Sequence, residues 1–393
     1  MTTLESNGLA DIAIVVELLP LPPIGDLGVA WADLEQRSEC SFFTGWCWIG
    51  CWLDSLAGAA ELHLLRARQA ERIVGMGILS LQGHRRNGVI FSRTLHLHAT
   101  GSHEFDILAV ECNSFLVERG LEELVSARML GHLIEQEKNW DELALDGLSG
   151  KPNWLVGDSR TGVRVNSHAN HYIVLEAIRQ NKGGYLPLLG AKTRSRIRRS
   201  VKEYEQFGPV VAHAAKDRSQ ALSFLEGLKA LHQNYWVGRG EPGAFANAFF
   251  DRFHQKLVHD AFDTGEIQII AVDAGDRRLG YIYNFVYRGR IYNYQSGFNY
   301  ELCERHNRPG LVAHACAIEL NARSGHEIYD FLAGDSEYKQ ALGTAVGAMS
   351  WVVVQRDRMR FRVEALGRKL RDRLRRSGPL GSSQGESASD VED

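Results

Sequence analysis

The residues best suited to chemistry lie between Leu279 and Lys339, where two aromatic strands lead to a turn, a helix of small residues and a third strand. The turn at residues 307–310 reads Asn-Arg-Pro-Gly. The first N–H groups of a helix have no partner inside it and carry partial positive charge. The helix start is therefore a candidate phosphate site, with Arg308 adding a charged contact. An ordinary loop-to-helix turn would contain the same residues, so both interpretations stay open.

Three polar side chains follow the third strand closely. Asp335 comes directly after Gly334, and Tyr338 and Lys339 lie about one turn further on. Ligands of open α/β sheets bind at the carboxyl ends of strands. Asp335 could orient or activate a substrate, Tyr338 could give or take a proton, and Lys339 could neutralise an oxyanion or grip a phosphate. A helix cap with a solvated lysine is the alternative.

A second group of candidates precedes this stretch. His232, at the end of a predicted helix, is a candidate general base, although a packed histidine would give the same pattern. Tyr235, Arg239 and Tyr294 are candidate substrate contacts, with strand packing as the alternative for the tyrosine at 294. The basic helix at residues 191–206 could clamp an anionic substrate through Arg196 and Arg199, or could be a solvated surface helix. It lacks interleaved aromatic residues, so we expect no DNA partner.

Composition places the chain among ordinary globular proteins. It has 393 residues, 44% of them hydrophobic and 24% charged, with a formal net charge of -3. This length suits two domains. The six cysteines show no zinc-like spacing, so we expect no metal and reduced thiols in a cytoplasmic protein. We see neither a signal peptide nor an apolar run long enough for a membrane span.

Alternating strand and helix patterns predict an α/β fold with a mixed sheet in each of two domains. The polar segment Gly157–Ser167 sets the expected boundary, giving domains at 1–165 and 166–376 and a disordered acidic tail at 377–393. Landmark predictions are a first strand at Ile12–Leu19, a mostly helical Trp31–Ala59, a helix at Leu311–Arg323 and a final basic helix at Phe361–Arg376.

Several short motifs together resemble the CelD/BcsL-like acetyltransferases of the GNAT superfamily, a family linked by name to cellulose biosynthesis. The resemblance covers roughly residues 185–345. Fem-type peptidoglycan aminoacyltransferases are similar more distantly and share a tandem GNAT-like architecture. The motifs that carry the resemblance are residues 194–199 (RSRIRR), 289–297 (GRIYNYQSG), 308–311 (RPGL), 329–331 (YDF) and 334–339 (GDSEYK).

The resemblance implies tandem GNAT-like domains, each a mixed, mostly antiparallel sheet flanked by helices, with the C-terminal one catalytic. It implies acyl-CoA, usually acetyl-CoA, as co-substrate, and direct attack of an amine or hydroxyl on the thioester. The implied acceptor is a sugar or small metabolite in exopolysaccharide or cell-envelope metabolism. A splayed strand would support the donor, and the turn would meet its pyrophosphate. The implied donor-binding residues are Gln295, Ser296, Gly297, Arg308, Pro309, Gly310, Leu311 and Val312.

Two other functions stay open at this stage. A Fem-type enzyme would take its acyl group from aminoacyl-tRNA. A non-catalytic GNAT-like module would bind an anionic glycan or a partner protein through its basic helices. The N-terminal domain could be such a degenerate copy, because it lacks a matching Pro-Gly turn and Gly-Asp pair. The acceptor is not fixed by the sequence, and a homodimer stays open.

Overall fold

The computed structural model describes residues 13–86, 88–155 and 160–364. Its strands in chain order are β1 (Ile14–Pro20), β2 (Leu62–Gln69), β3 (Arg72–Arg86), β4 (Ile90–Leu97), β5 (Leu116–Val117), β6 (Glu142–Ser149), β7 (Thr161–Val174), β8 (Val210–Ala214), β9 (Ile267–Ala274), β10 (Arg277–Tyr287), β11 (Arg290–Phe298), β12 (Ile328–Ala333) and β13 (Ala345–Arg356). Its α-helices are α1 (Ile24–Gln36), α2 (Trp46–Leu56), α3 (His103–Asp106), α4 (Glu122–Glu135), α5 (Leu175–Gln180), α6 (Ala191–Tyr204), α7 (Arg218–Val237), α8 (Ala248–Ala261), α9 (Pro309–Arg323) and α10 (Glu337–Leu342).

The described residues group into two compact units. Of the described residues, those in 13–102, 112–165 and 351–358 form the first unit, and those in 103–111, 166–350 and 359–364 form the second. One division between the units falls after Val165, and the predicted boundary between two domains stays a prediction. Residues 103–111 and 351–358, however, each group with the unit on the other side of that boundary.

The first unit is built on a mixed sheet in the order β1–β2–β3–β4–β6, with the short β5 beside β3. The β4–β6 pair is parallel, and the other recorded pairs are antiparallel. Helix α4 buries Val125, Met129 and Leu133 in a core shared with Leu65 and Leu143. These helical residues recur at intervals of four, which places them on one face.

The second unit has the strand order β7–β12–β11–β10–β9–β8. The β11–β12 pair is parallel and its other recorded pairs are antiparallel. Val312 and Ile318 of α9 share one core with Ile197 of α6 and with Ile282 and Tyr329 of the sheet. The prediction of a mixed, mostly antiparallel sheet flanked by helices is confirmed.

Two helices of this unit begin where their sequences suggest. Helix α6 starts at Ala191 as predicted, and it buries Ile197 and Tyr204 while its arginines lie on the other faces. Helix α9 starts at Pro309, two residues before the predicted start. Proline fits the first helical position because its missing N–H would have no partner there.

Helix α7 carries two of the candidate residues near its C-terminal end, His232 and Tyr235. Its N-terminus is capped by the side chain of Asp217, which accepts a hydrogen bond from the Gln220 N–H at 2.8 Å. None of the helices in the described ranges is both long and apolar enough to cross a membrane.

The segment Trp31–Ala59 is mostly helical, as predicted. It contains the end of α1, a short 3₁₀ turn at Phe42–Thr44 and the whole of α2. The polar segment that set the expected boundary is strand from Thr161 onward, where β7 begins, and most of the first eight residues of β7 are exposed. Ladder hydrogen bonds maintain a strand whose side chains bury little apolar surface. Other predictions lie outside the described residues, namely Ile12, residues 365–376 of the final helix and the tail at 377–393.

Gly297 of β11 allows α7 to lie unusually close to the sheet. A Cβ atom at this position would lie 2.3 Å from the Leu228 carbonyl oxygen and 3.1 Å from the backbone nitrogen of His232. Because both neighbours are helix backbone, the helix itself would have to move.

We expect Gly297→Ala to lower the free energy of unfolding by about 1–3 kcal/mol, the usual range for overpacking. Chemical denaturation monitored by circular dichroism measures this change. Ser296→Ala on the same strand is the control, with an expected change within about 0.5 kcal/mol. Equal effects of the two substitutions would contradict the close approach of helix and strand.

Candidate active site

A cavity of ≈ 1020 Å³ opens in the second unit beside the C-terminal ends of β11 and β12. The start of α9, helix α10 and the loop after α7 complete its lining. It brings together thirteen of the residues proposed from the sequence: His232, Tyr235, Arg239, Tyr294, Gln295, Ser296, Gly297, Arg308, Gly310, Leu311, Asp335, Tyr338 and Lys339.

The cavity lies where the parallel pairing of β11 and β12 ends. The two strands are paired at three positions, from Arg290 with Ile328 to Tyr292 with Asp330. Beyond them, Asn293 to Phe298 of β11 and Phe331 and Leu332 of β12 line the same cavity. The backbone of β11 is therefore not paired with β12 at this point, while side chains take up the N–H groups of Leu332 and Ala333 in β12.

A β-bulge lies in β11 at the same point. Tyr283 is paired with Gln295 and Asn284 with Asn293, so Tyr294 has no opposite residue. Bulges bend a strand and redirect side chains. The Tyr294 hydroxyl donates to the Leu108 carbonyl at 2.6 Å, and burial raises the pKa of this phenol well above its ordinary value. Tyr294 thus supports the cavity wall as a neutral hydrogen-bond donor.

The end of β12 is held by a buried carboxylate. Asp330 is 1% exposed and accepts from Asn170 Nδ2 at 2.6 Å, from the Leu332 N–H at 2.8 Å and from Arg290 Nη1 at 2.6 Å. Leu332 has φ 63°, a conformation that costs about 1–3 kcal/mol for a residue other than glycine. These bonds maintain the strained turn that directs residues 331–334 along the cavity.

The start of α9 is fixed by α6. The Ser200 hydroxyl donates to the His306 carbonyl, and the Tyr204 hydroxyl donates to Asn307 Oδ1 at 2.7 Å. Gly310 lies against the ring of Phe298. A Cβ atom added to Gly310 would lie 3.1 Å from the nearest atom of that ring. The first turn of α9 consequently directs its free N–H groups to one edge of the cavity.

Tyr338 and Lys339 lie on the short helix α10, which the sequence did not predict. The Tyr338 ring stacks on His314 with ring centres 5.4 Å apart. Lys339 Nζ donates to the Ala333 carbonyl at 2.5 Å. Burial, with a contribution from Lys339, lowers the pKa of His314 to about 3, so this histidine is neutral.

Asp335 and His232, two of the catalytic candidates from the sequence, have pKa values lowered in the fold. Asp335 is exposed, and a hydrogen bond from His171 Nε2 at 2.8 Å holds the pKa of its carboxyl below the ordinary value. Burial lowers the pKa of His232, whose Nδ1 lies 3.1 Å from Gln233 Oε1. Both groups therefore bind a proton less tightly than usual, which weakens them as proton acceptors at neutral pH.

Four proposed residues lie elsewhere. Pro309 is buried and Val312 is fully buried in the core of this unit, so only their backbones are near a ligand at the helix start. Arg196 and Arg199 line a separate cavity of ≈ 400 Å³ together with His306 and Arg308. Arg308 lines both cavities, so the two adjoin at its side chain.

Residues that line the main cavity without having been proposed from the sequence include His314, Trp236 and Glu111. His314 lies within α9, in a run that reads as small-residue packing. Trp236 neighbours two candidates at the end of α7, and its ring lies 6.1 Å from that of His232. Glu111 belongs to residues 103–111, far from the other candidates in sequence, and no local motif indicates it. Burial raises the pKa of Glu111 to about 7.

Residues 191–340 match the family of acetyltransferase (GNAT) domains. This part of the chain is therefore similar to a GNAT acetyltransferase domain. No curated protein sequence matches the chain. The predicted GNAT-like fold is confirmed, whereas the closer resemblance to CelD/BcsL-like enzymes stays a prediction.

Solved structures similar to the chain extend the likeness of fold beyond this domain. A Bacteroides thetaiotaomicron protein of unknown function has a TM-score of 0.52 at 8% identity, covering 87% of this chain and 100% of its own. The C-terminal domain of a protein assigned as a lysylphosphatidylglycerol synthetase, from Agrobacterium fabrum, has a TM-score of 0.51 at 10% identity, covering 85% and 93%. FemX has a TM-score of 0.51 at 10% identity, covering 86% and 96%.

The importance of the Asp330 network can be measured by removing its carboxylate. We expect Asp330→Ala to lower the free energy of unfolding by about 3–5 kcal/mol, because it leaves Arg290 and Asn170 without their buried partner. Glu337→Ala, which breaks the exposed Arg196–Glu337 pair at 3.0 Å, is the control, with an expected loss of at most about 1 kcal/mol. Urea denaturation compares the two variants, and similar losses would contradict a structural role of Asp330.

Proposed function

We propose that the chain is an acyltransferase that moves an acyl group from acyl-CoA, such as acetyl-CoA, to an amine or hydroxyl of a sugar or small metabolite. The observation that carries this proposal is the cavity at the point where β11 and β12 part, inside the GNAT acetyltransferase domain. The cavity is large enough for the reactive arm of a donor and for part of an acceptor.

The donor fits the cationic side of the site. Its pyrophosphate would lie at the first turn of α9, against the N–H groups of Gly310 and Leu311. Arg308 is exposed beside this turn, and Arg196 and Arg199 line the adjoining small cavity, which suits the further phosphate of the donor's nucleotide. The pantetheine arm would then follow Gln295 to Gly297, whose backbone lies beyond the last β11–β12 pair.

The acceptor would bind at the aromatic side of the cavity. Tyr235 and Tyr300 have ring centres 5.1 Å apart, and the guanidinium of Arg239 lies 4.5 Å from the ring centre of Tyr235. Aromatic faces with a nearby charged group suit a sugar or a polar metabolite that carries an apolar face. A role in exopolysaccharide or cell-envelope metabolism is the finer part of this proposal.

The chain's own groups suit thioester aminolysis or alcoholysis. Lys339 would offset negative charge that develops on the thioester oxygen, helped by N–H groups of β11 beyond its last pair with β12. Tyr338 would orient the reacting groups or exchange a proton with them. Asp335, as a carboxylate held by His171, would orient the acceptor, and the buried His232 would shape the pocket wall.

A donor other than acyl-CoA is the second candidate, because basic side chains extend past the cavity. Arg194, Arg198 and Lys202 form a further cationic groove on α6 together with Arg199. Aminoacyl-tRNA would contact such a surface through its phosphates. Incubation of the protein with acetyl-CoA or with charged tRNA, plus a panel of amino sugars, separates the donors by thiol release or tRNA deacylation. If the protein gives neither thiol release nor tRNA deacylation with any acceptor, the result favours a non-catalytic binding module.

The helix start is tested by Gly310→Asp. We expect a roughly tenfold weaker Kd for acetyl-CoA, or about 1.4 kcal/mol, because a carboxylate replaces free space beside the donor phosphates. Gly310→Ala is the matched control, since it adds the same Cβ near Phe298 without the charge, and we expect it to change Kd by less than about threefold. Titration calorimetry measures both, and equal Kd values would refute the phosphate site.

A further inference from the structure

We propose that Glu111 is the catalytic residue that accepts the proton from the attacking amine or hydroxyl of the acceptor. The proposal rests on the acyltransferase function above and adds a residue that lies outside the matched span 191–340.

Glu111 is placed at the point where the reacting groups would meet. It is half-buried and lines the main cavity together with Asn293 to Gly297 of β11. Its Oε2 accepts a hydrogen bond from the Ala333 N–H at 2.6 Å, at the end of β12. Among the described residues, Oε1 has no hydrogen-bond partner, so one oxygen fixes the carboxylate and the other can accept a proton.

The segment that carries Glu111 is anchored to its own unit. The Asn247 amide donates to the Glu104 carbonyl at 3.0 Å, and the rings of Phe105 and Phe249 meet edge to face at 4.9 Å. The Tyr294 hydroxyl binds the Leu108 carbonyl at 2.6 Å. A catalytic carboxylate needs such fixed surroundings to keep its distance to the substrate.

The electrostatics around Glu111 suit a base at neutral pH. Burial raises the pKa of its carboxyl to about 7, although the Ala333 N–H and the Lys339 ammonium oppose this shift and Asp330 adds to it. The buried Tyr294 faces it as a neutral phenol. A proton acceptor works best when its pKa is near the working pH. Asp335, His232 and His314 all have lowered pKa values and meet this condition less well.

The proposed step conserves atoms and charge. The acceptor's nitrogen or oxygen forms a bond to the thioester carbonyl carbon, and its proton passes to Glu111 Oε1. The carbon–sulfur bond then breaks, and its electron pair leaves with the sulfur of CoA as a thiolate. The thiolate takes up a proton from water on release, and Glu111 returns its own proton to solvent before the next turnover.

The central experiment compares Glu111→Gln with the wild-type protein. We expect kcat to fall by about 100-fold or more, the usual contribution of general base catalysis, while the Kd of acetyl-CoA by calorimetry changes by less than about threefold. We also expect the acidic limb of the wild-type pH–kcat profile, with an apparent pKa near 7, to be absent from the variant. Glu104→Gln is the control for local disturbance. Glu104 lies on the same segment, and the Asn247 amide bonds its backbone carbonyl, which the substitution keeps.

A second variant tests the role without removing the carboxylate. Lys339 lowers the pKa of Glu111, so Lys339→Met should move the acidic limb of the profile to higher pH. An unchanged limb in this variant would overturn the assignment.

Stability gives a readout that is independent of catalysis. Since the folded-state pKa of Glu111 is raised, its protonation favours the folded state below about pH 4.5, and this contribution is lost as the pH rises through about 7. The unfolding temperature of Glu111→Gln should therefore rise relative to wild type between pH 5 and pH 8. A constant difference would show that Glu111 does not titrate as inferred.

The outcomes separate the two proposals. If Glu111→Gln binds the donor and transfers the acyl group normally, with an unchanged pH profile, the role of Glu111 is refuted and the proposed acyltransferase function stands. Failure of the wild-type protein to bind or use acyl-CoA would refute the proposed function, and this role with it.

Discussion

The short parallel pairing between β11 and β12 is the constraint on which the candidate site depends. Hydrogen bonds join the strands at three positions, and after Tyr292 and Asp330 each strand follows its own path. The bulge at Tyr294 turns β11, and the strained backbone at Leu332 turns β12. The cavity is lined by both strands beyond their last pair, so their parting is what opens this space.

The cost of leaving the strands apart is offset by polar groups that replace the missing ladder. Asp330 accepts the Leu332 N–H, Glu111 accepts the Ala333 N–H, and Lys339 donates to the Ala333 carbonyl. Each of these side chains satisfies a backbone group that would otherwise be buried without a partner. The same groups place a buried acid, Glu111, close to a cation, Lys339, in the cavity wall.

The basic helix α6 has two roles that its sequence does not separate. Ser200 and Tyr204 on its buried side hold the loop before α9, while the arginines on its other faces line the smaller cavities. The spacing of Ile197, Val201 and Tyr204 by three or four residues predicts the helix and its buried face. It does not say that the buried face positions a loop whose helix start could bind phosphate.

Local patterns in the sequence determined much of the fold of the second unit. The periodicity of residues 191–206 and 311–323 predicted helices that the structure forms at Ala191–Tyr204 and Pro309–Arg323. The Pro-Gly turn and the Gly-Asp pair pointed to the region that lines the cavity. These features are readable because hydrophobic spacing and glycine or proline geometry act over a few residues.

Tertiary structure alone decided how the site is charged and which groups face one another. It grouped residues 103–111 with the second unit and so brought Glu111 to Ala333, a contact between positions 222 residues apart. It also lowered the pKa values of Asp335 and His232 and raised that of Glu111. Burial and distant partners set these shifts, and neither is encoded in the neighbouring residues of the chain.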